Sequence, residues 1–540
     1  MRKIINASFI FVILLSQNVK TLKAQSYFIK SLEKNASTDK LFGNIILSNG
    51  DIVLSGHTNS DILLIRSDSL GNIIWQKTYP GTPDSEEGKV CVITSSGNIA
   101  VSGYSKPNTG TFDAMIVNTD ANGNLQWIKK YGHPSYHTKA WPVDTIQGDN
   151  LYLAGWTSDL PNNGNWTSGF VLRTNALGDT IWTRRFGSET IGNQTYFRTL
   201  ASTNDGGCIA VGESNQYGAG GYDVIAVKLN SNGDTLWTKT YGDSGDDYGW
   251  SVKQTSDSGY IICGNTGSFG YTTFKSDMLI IRLDSNGNII WTKTIGDASN
   301  TTTLDAARSV IETSDNNFVL CGYTGPSDED GILMKLNSLN GDTLWSKQYF
   351  LGAGKTHFRY LNEINPGNYL ISGYSNSIGT GSDDILFLKI KENGFAGGCY
   401  ETSISPTYQV NNQTLLTGSG IPAYQTGFTV SAMSNSGIPT FTENMLCDST
   451  ITTGIGELEE IQFILYPNPT NEKITISPIS ALSYGEINVF NILGMAQKNM
   501  IYSKVDNHLV VDFSNLSSGI YFVSFTLQSG LHKTVKVLKE

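Results

Sequence analysis

Short apolar runs separated by polar turns fill most of this chain, and the runs recur in a fixed order. Each unit opens with an alternating strand and a polar turn such as Asn204-Asp205-Gly206-Gly207 or Asp257-Ser258-Gly259. An apolar run such as Tyr260-Ile261-Ile262-Cys263 follows, then a variable loop and a second apolar run such as Met278-Leu279-Ile280-Ile281. An Asp/Asn-containing turn and a strand carrying Trp complete it. Runs this short, alternating or wholly apolar and bounded by Gly and Asn, predict β-strands rather than helices.

Two landmarks set the repeat. A turn glycine precedes a Trp by four residues at Gly71/Trp75, Gly123/Trp127, Gly178/Trp182, Gly233/Trp237, Gly287/Trp291 and Gly341/Trp345, so the Trp recurs every 52 to 55 positions. A strand ending in a small residue and glycine marks seven units, at Gly56, Gly103, Gly155, Gly212, Gly264, Gly322 and Gly373. Four short antiparallel strands in a unit of about fifty residues predict one blade of a β-propeller. Trp75 stands 28 residues before Gly103 and Trp345 stands 28 before Gly373; Phe28 stands 28 before Gly56, with no blade of its own. The last unit lacks a Trp strand. The chain therefore predicts an all-β, seven-bladed β-propeller over residues 25–399, whose N-terminal strand closes the last blade and removes an unpaired edge. The Trp residues are expected to stiffen the junctions between blades.

Composition agrees: of 540 residues, 57 are Gly and only 14 Pro, and charged residues make up 16%. The net charge of -11 lacks the basic field that nucleic-acid binding requires, so DNA and RNA are excluded as partners. Residues 1–24 read as a secretory signal: Arg2 and Lys3 precede an apolar run over residues 4–15, and Ala24 offers a cleavage point. That run is too short for a stable transmembrane anchor, no other stretch approaches the length, and a monomer is expected. Of six cysteines, Cys91, Cys208, Cys263 and Cys321 fall in predicted strands and read as small core residues, while Cys399 and Cys447 are the candidate disulfide. No CxxC, HExxH, P-loop, nucleophile elbow or dinucleotide fingerprint is present, so no metal, cofactor or catalytic residue is assigned.

The candidate ligand site comes from the register. Fourteen residues before each landmark glycine stand Phe42, Lys89, Trp141, Arg198, Trp250, Arg308 and Arg359, near the start of each inner strand. A ring of cations and aromatics at a channel mouth suits an anionic sugar or peptide through charge-assisted bonds and stacking. The competing reading has these residues packing and pairing between blades, for instance with Asp247 and Asp305. The variable loops on the same face add Trp156, Tyr222, Tyr248 and Tyr360. A second set, Asp61, Asp113, Asp223, Asp277 and Asp384, recurs ten residues before the turn glycine. A catalytic pair would break the symmetry of the ring, so these read as acceptors for backbone at the start of the third strand.

The element Asp284-Ser285-Asn286-Gly287-Asn288-Ile289-Ile290-Trp291 resembles the tryptophan-docking motif of quinoprotein-dehydrogenase propellers and, more loosely, the Asp-box of sialidases. The spacing from Asp to Gly differs from both, and the resemblance speaks to fold rather than chemistry. From about residue 457 the rhythm changes. Leu465-Tyr466-Pro467-Asn468-Pro469, Asn491-Ile492-Leu493-Gly494, Gly519-Ile520-Tyr521 and a Lys-spaced end resemble the type A C-terminal sorting domain of the Bacteroidota type IX secretion system, and alternating strands over residues 457–540 predict an immunoglobulin-like sandwich. The resemblance implies export through the type IX secretion machinery to the medium or to surface lipopolysaccharide. Residues 400–456 read as a polar linker or β-extension. The expected function is a secreted or surface binding and adhesion protein for a glycan or peptide; the alternative is a polysaccharide hydrolase or lyase.

Overall fold

A computed structural model describes residues 27–395 apart from short loop segments, strands within 401–449, and much of 464–540. The signal-peptide expectation and Cys399 lie outside the described residues. The chain divides into two compact units, Met1–Thr450 and Ile451–Glu540.

The first unit is all-β and propeller-like, built from seven repeated four-strand antiparallel sheets among the described residues, six of them of consecutive strands. The first sheet contains Asp39–Ile46, Ile52–Thr58, Asp61–Ser67 and Ile73–Tyr79. The seventh takes Thr356–Asn365, Asn368–Ser375 and Asp384–Lys391 from the end of the repeats and Tyr27–Glu33 from the start of the described chain. Phe28 pairs with Lys389 and Leu32 with Ile385, the closure expected from the sequence. Each sheet packs on the next through a shared apolar core. Phe28, Leu41, Leu54, Leu63, Leu370 and Phe387 form the core joining the first sheet to the seventh. Asn44 Nδ2 donates to Ser372 Oγ at 2.9 Å and Lys389 Nζ to the Ser69 carbonyl at 2.9 Å across the same junction.

The tryptophans are inter-sheet staples. A Cβ built on Gly123 would come within 2.9 Å of the Trp75 ring, and one on Gly233 within 2.8 Å of Trp182, so each indole lies on the turn of the following sheet where only glycine leaves room. Gly123 also has φ 71°, a left-handed conformation that glycine adopts without strain. The Trp182 and Trp291 indoles donate to the Ser231 and Ser338 carbonyls, both at 3.0 Å. Tyr79, Tyr131 and Tyr241 donate to the carbonyls of Gly123, Gly178 and Gly287 at 2.7, 2.7 and 2.8 Å. At the seventh junction Phe28 takes the indole's place over Gly71, and Lys30 Nζ donates to the Gly71 carbonyl at 3.0 Å. Cys91, Cys208, Cys263 and Cys321 are free and buried in the cores, as expected.

Residues 401–449 add a fifth strand to six of the sheets. Going along the chain, Glu401–Ser403 pairs with the sixth sheet, Tyr408–Asn412 with the fifth, Leu416–Ser419 with the fourth, Ala423–Tyr424 with the third and Thr429–Met433 with the second. Thr442–Ser449 then pairs with Tyr27–Glu33 of the seventh. The segment thus visits the sheets in the reverse of their order and covers their outer edges, where unpaired N–H and C=O groups would otherwise stand exposed. The first sheet keeps four strands among the described residues.

The second unit holds two antiparallel sheets. One orders Ile464–Tyr466, Lys473–Ser477, His508–Asp512 and Ile501–Val505; the other orders Asn488–Asn491, Gly519–Thr526 and His532–Lys539. Ile474, Val489, Val511, Phe513, Val523 and Val537 are buried in this unit. No helix among the described residues is long and apolar enough to cross a membrane.

Candidate functional site

The inner strand of every sheet carries a β-bulge at the same place. In the fourth sheet Phe197 faces Gly212 and Thr199 faces Val211, which leaves Arg198 as the extra residue. Trp250, Arg308, Arg359 and Phe42 occupy the same irregularity in the fifth, sixth, seventh and first sheets. Lys89 and Trp141 fall within it in the second and third. A bulge leaves one residue out of the ladder and re-aims its side chain. The landmark glycines are its counterpart: a Cβ on Gly212 would overlap the Tyr196 carbonyl oxygen, and one on Gly56 the Lys40 carbonyl oxygen. Glycine is required because the inner strand presses against it there.

All seven bulge side chains line one cavity of about 90 Å³. The same strands add Val92, Asp144, Leu200, Lys253 and Tyr360 to the lining. The sequence brought the bulge residues together by counting; these further lining residues it missed, apart from Tyr360. Apart from Trp156, it also missed the residue after each landmark glycine, which in several sheets anchors the bulge side chain of its own sheet. Glu213 accepts from Arg198 Nε at 2.8 Å and Nη2 at 2.5 Å, Asn265 Oδ1 accepts from the Trp250 indole at 2.5 Å, and the Tyr323 hydroxyl accepts from Arg308 Nη2 at 2.8 Å. In the first sheet Phe42 stacks on His57 at 5.5 Å. The fixed offset of one residue past each glycine was the available signal. Asp247 and Asp305, the partners anticipated for pairing, accept from the Ser268 and Thr324 hydroxyls.

Cations and indoles alternate across the cavity. Lys89 lies 5.0 Å from the Trp141 ring centre, Arg198 lies 4.9 Å from Trp141 and 5.3 Å from Trp250, and Arg308 covers Trp250 at 3.9 Å. From Trp250 an aromatic series continues through Tyr248 at 6.1 Å and Tyr222 at a further 5.8 Å. Burial pushes the Lys89 ammonium down to about 8; Glu87, 2.9 Å away, opposes this, and the charges of Arg359 and Lys139 add to it. Burial, and then the charge of the neighbouring Arg359, likewise lower Arg308 to about 10. Glu87 is also penalised by burial, yet Lys89 and Tyr104 hold it down at about 2. Burial raises Glu213 despite Arg198 beside it.

Beside this ring, His357 bonds through Nδ1 to the Tyr374 hydroxyl at 2.9 Å and through Nε2 to Glu329, and stacks on Tyr323 at 4.0 Å. Asp223, from the recurrent acidic set, accepts from the Ala219 backbone N–H at 2.8 Å through Oδ2, the role expected of it. No group of three or more potential metal-ligating side chains occurs among the described residues.

Among curated proteins, the chain is similar to the regulatory protein FlaEY of Caulobacter vibrioides, 25% identical over an alignment of 153 residues that covers 24% of this chain and 16% of that protein. Among solved structures it is similar to a protein of unknown function from Dyadobacter fermentans, at 13% identity and TM-score 0.36, over 67% of this chain and 98% of that one. It is also similar to a mutant of the NanB sialidase of Streptococcus pneumoniae, at 8% identity and TM-score 0.34, over 69% and 96%. Residues 464–540 match the family model of the secretion system C-terminal sorting domain. The chain is therefore a propeller-like all-β protein carrying a type IX secretion sorting domain, which directs it to secretion or attachment at the cell surface.

Proposed function

We propose that this protein is an exported seven-bladed β-propeller that binds a glycan or peptide at the cavity lined by its inner-strand bulges, with its sorting domain folded as an immunoglobulin-like sandwich. A signal peptide over residues 1–24 supplies entry to the periplasm, and the sorting domain supplies passage across the outer membrane. The observation that carries the reading is the convergence of Lys89, Trp141, Arg198, Trp250, Arg308 and Arg359 on one cavity, each delivered by a bulge at the same register. Bulges next to a cavity re-aim side chains toward a ligand, and aromatic faces beside cations are the usual furniture of carbohydrate and peptide sites. The Trp250–Tyr248–Tyr222 series supplies further stacking surface.

A glycan array and a peptide library probed with the secreted protein test this. Selective binding is expected, with Trp141→Ala or Trp250→Ala weakening it about tenfold or more, the loss typical of a buried aromatic anchor. Unselective or absent binding on both panels overturns the reading. A hydrolase or lyase is the second reading, supported by the Glu329–His357–Tyr374 chain beside Arg359. Turnover of a bound polysaccharide that disappears in His357→Gln would favour it.

A further inference from the structure

The cations of the cavity are not equivalent. Arg198 is neutralised within its own sheet by the two bonds it donates to Glu213, whose side chain is 1% exposed. No carboxylate bonds to Arg308 among the described residues. Its Nη2 donates to the neutral Tyr323 hydroxyl, while Nε and Nη1 are buried with no acceptor among those residues. Those two atoms carry three of the five guanidinium N–H donors. Arg359 rests against the rings of Phe42 at 5.2 Å and Tyr374 at 5.7 Å, and no carboxylate pairs with it among the described residues. The Trp141 indole N–H, of another residue lining the same cavity, is also buried without an acceptor among the described residues. Buried donors are almost always satisfied, and an uncompensated buried charge is costly. Arg308, Arg359 and Trp141 all line the cavity, so an acceptor that enters it and draws these side chains toward it would relieve the unmet donors.

We infer that the cavity is an oxyanion site in which Arg308 and Arg359 bind a carboxylate or sulfate group of the ligand, with the Trp141 indole as a neutral donor and Arg198 as a positioning residue between the two indoles. This rests on the binding reading above and specifies the group that is recognised. The selectivity lies in donor supply. The lining offers Lys253, Arg308 and Arg359 beyond Arg198 and Lys89, which Glu213 and Glu87 hold, against one lining carboxylate, Asp144, which is itself occupied by Ser202 N–H and Oγ at 2.8 and 3.0 Å. A neutral hydroxyl would leave most of these donors unfilled, whereas one oxyanion offers several lone pairs to them at once.

The test uses the purified full chain with sodium sulfate, glucuronate and glucose 6-sulfate as probes and glucose as the neutral control, read by calorimetry and thermal unfolding. Binding of at least one sulfated or carboxylated probe is expected, with glucose silent. Sulfate alone matching the sugar sulfate would place recognition on the anion itself; a stronger sugar sulfate would place it on the conjugate. Arg308→Met and Arg359→Gln should each weaken that binding about tenfold or more, while Lys129→Gln, which removes a pair with Asp179 on an outer strand, leaves it unchanged. Because Arg308 carries unpaired buried donors, Arg308→Met should unfold at the same or a higher temperature than the parent without anion. Anions that neither bind nor raise the unfolding temperature overturn the inference, as does undiminished binding in both arginine variants. A glycan or peptide that binds independently of Arg308 and Arg359 would sink the oxyanion site and leave the binding function standing. An oxyanion that binds when both ligand panels are blank would do the reverse.

Discussion

At the scale of single residues, the glycine before each second-strand end is the most constrained position in the repeat. Gly212 faces Phe197, the residue just before the bulge, and a Cβ there would overlap backbone rather than the end of a movable side chain. Gly212→Ala is therefore expected to cost about 2–4 kcal/mol, as overpacking against fixed backbone does, and to lower the unfolding midpoint accordingly. A second residue-scale prediction concerns Asp277, which burial pushes up to about 6. A carboxyl whose pKa is higher folded than unfolded stabilises the fold fully below its unfolded value of about 4, and loses that contribution as pH rises through about 6. Asp277→Asn should accordingly gain stability relative to the parent between pH 4 and pH 8. Unfolding midpoints of the pair at both pH values check the sign. Both residues were legible as recurrent positions; the bulge that explains the glycine was not, since it inverts the alternation within strands too short for the two phases to be told from irregular alternation.

Strands and their junctions carry a different kind of information. The Trp staple was readable because a large indole four residues past a turn glycine recurs at a fixed spacing, and Phe28 was readable as its substitute because it keeps that spacing. Phe28 is 1% exposed and lies over Gly71 where the cycle of sheets closes. Phe28→Ala should cost about 3–5 kcal/mol, the usual loss for a fully buried ring, and open Tyr27–Glu33 first in hydrogen exchange. Residues 400–456 read as a polar linker or β-extension, but the separate edge-covering strands within 401–449 were not legible. Ala423–Tyr424 has two residues and Leu416–Ser419 four, too few to show a period, and their Ser, Thr and Asn content reads as linker. Their pairing is set by the edges they meet rather than by an apolar face of their own. Deleting 401–449 while keeping the sorting domain should leave the seven sheets folded but bare at six edges. Light scattering at matched concentration should show faster association than the parent; equal scattering would mean the segment does not protect the edges.

Across the whole molecule, charge is distributed against the site. The chain sums to -11, yet the cavity lining carries five cations, Lys89, Arg198, Lys253, Arg308 and Arg359, and one carboxylate, Asp144. Even with Glu87 and Glu213 counted beside it, the site is net +2, which leaves -13 for the rest of the chain. An approaching anion thus meets repulsion at long range and attraction only on entry. Salt screens these unequally: the Debye length falls from about 30 Å at 0.01 M to about 8 Å at 0.15 M, which removes the far field, whereas buried contacts are screened much less. Affinity for a sulfated or carboxylated probe should therefore hold or rise between those two ionic strengths, mainly through faster association. An exposed basic patch behaves in the opposite way, losing affinity steadily with salt. Stopped-flow association and equilibrium titration at the two salt concentrations separate the cases. A steep fall in affinity would place the ligand on exposed lysines and arginines rather than within the ring of bulges, whatever the outcome with Arg308 alone.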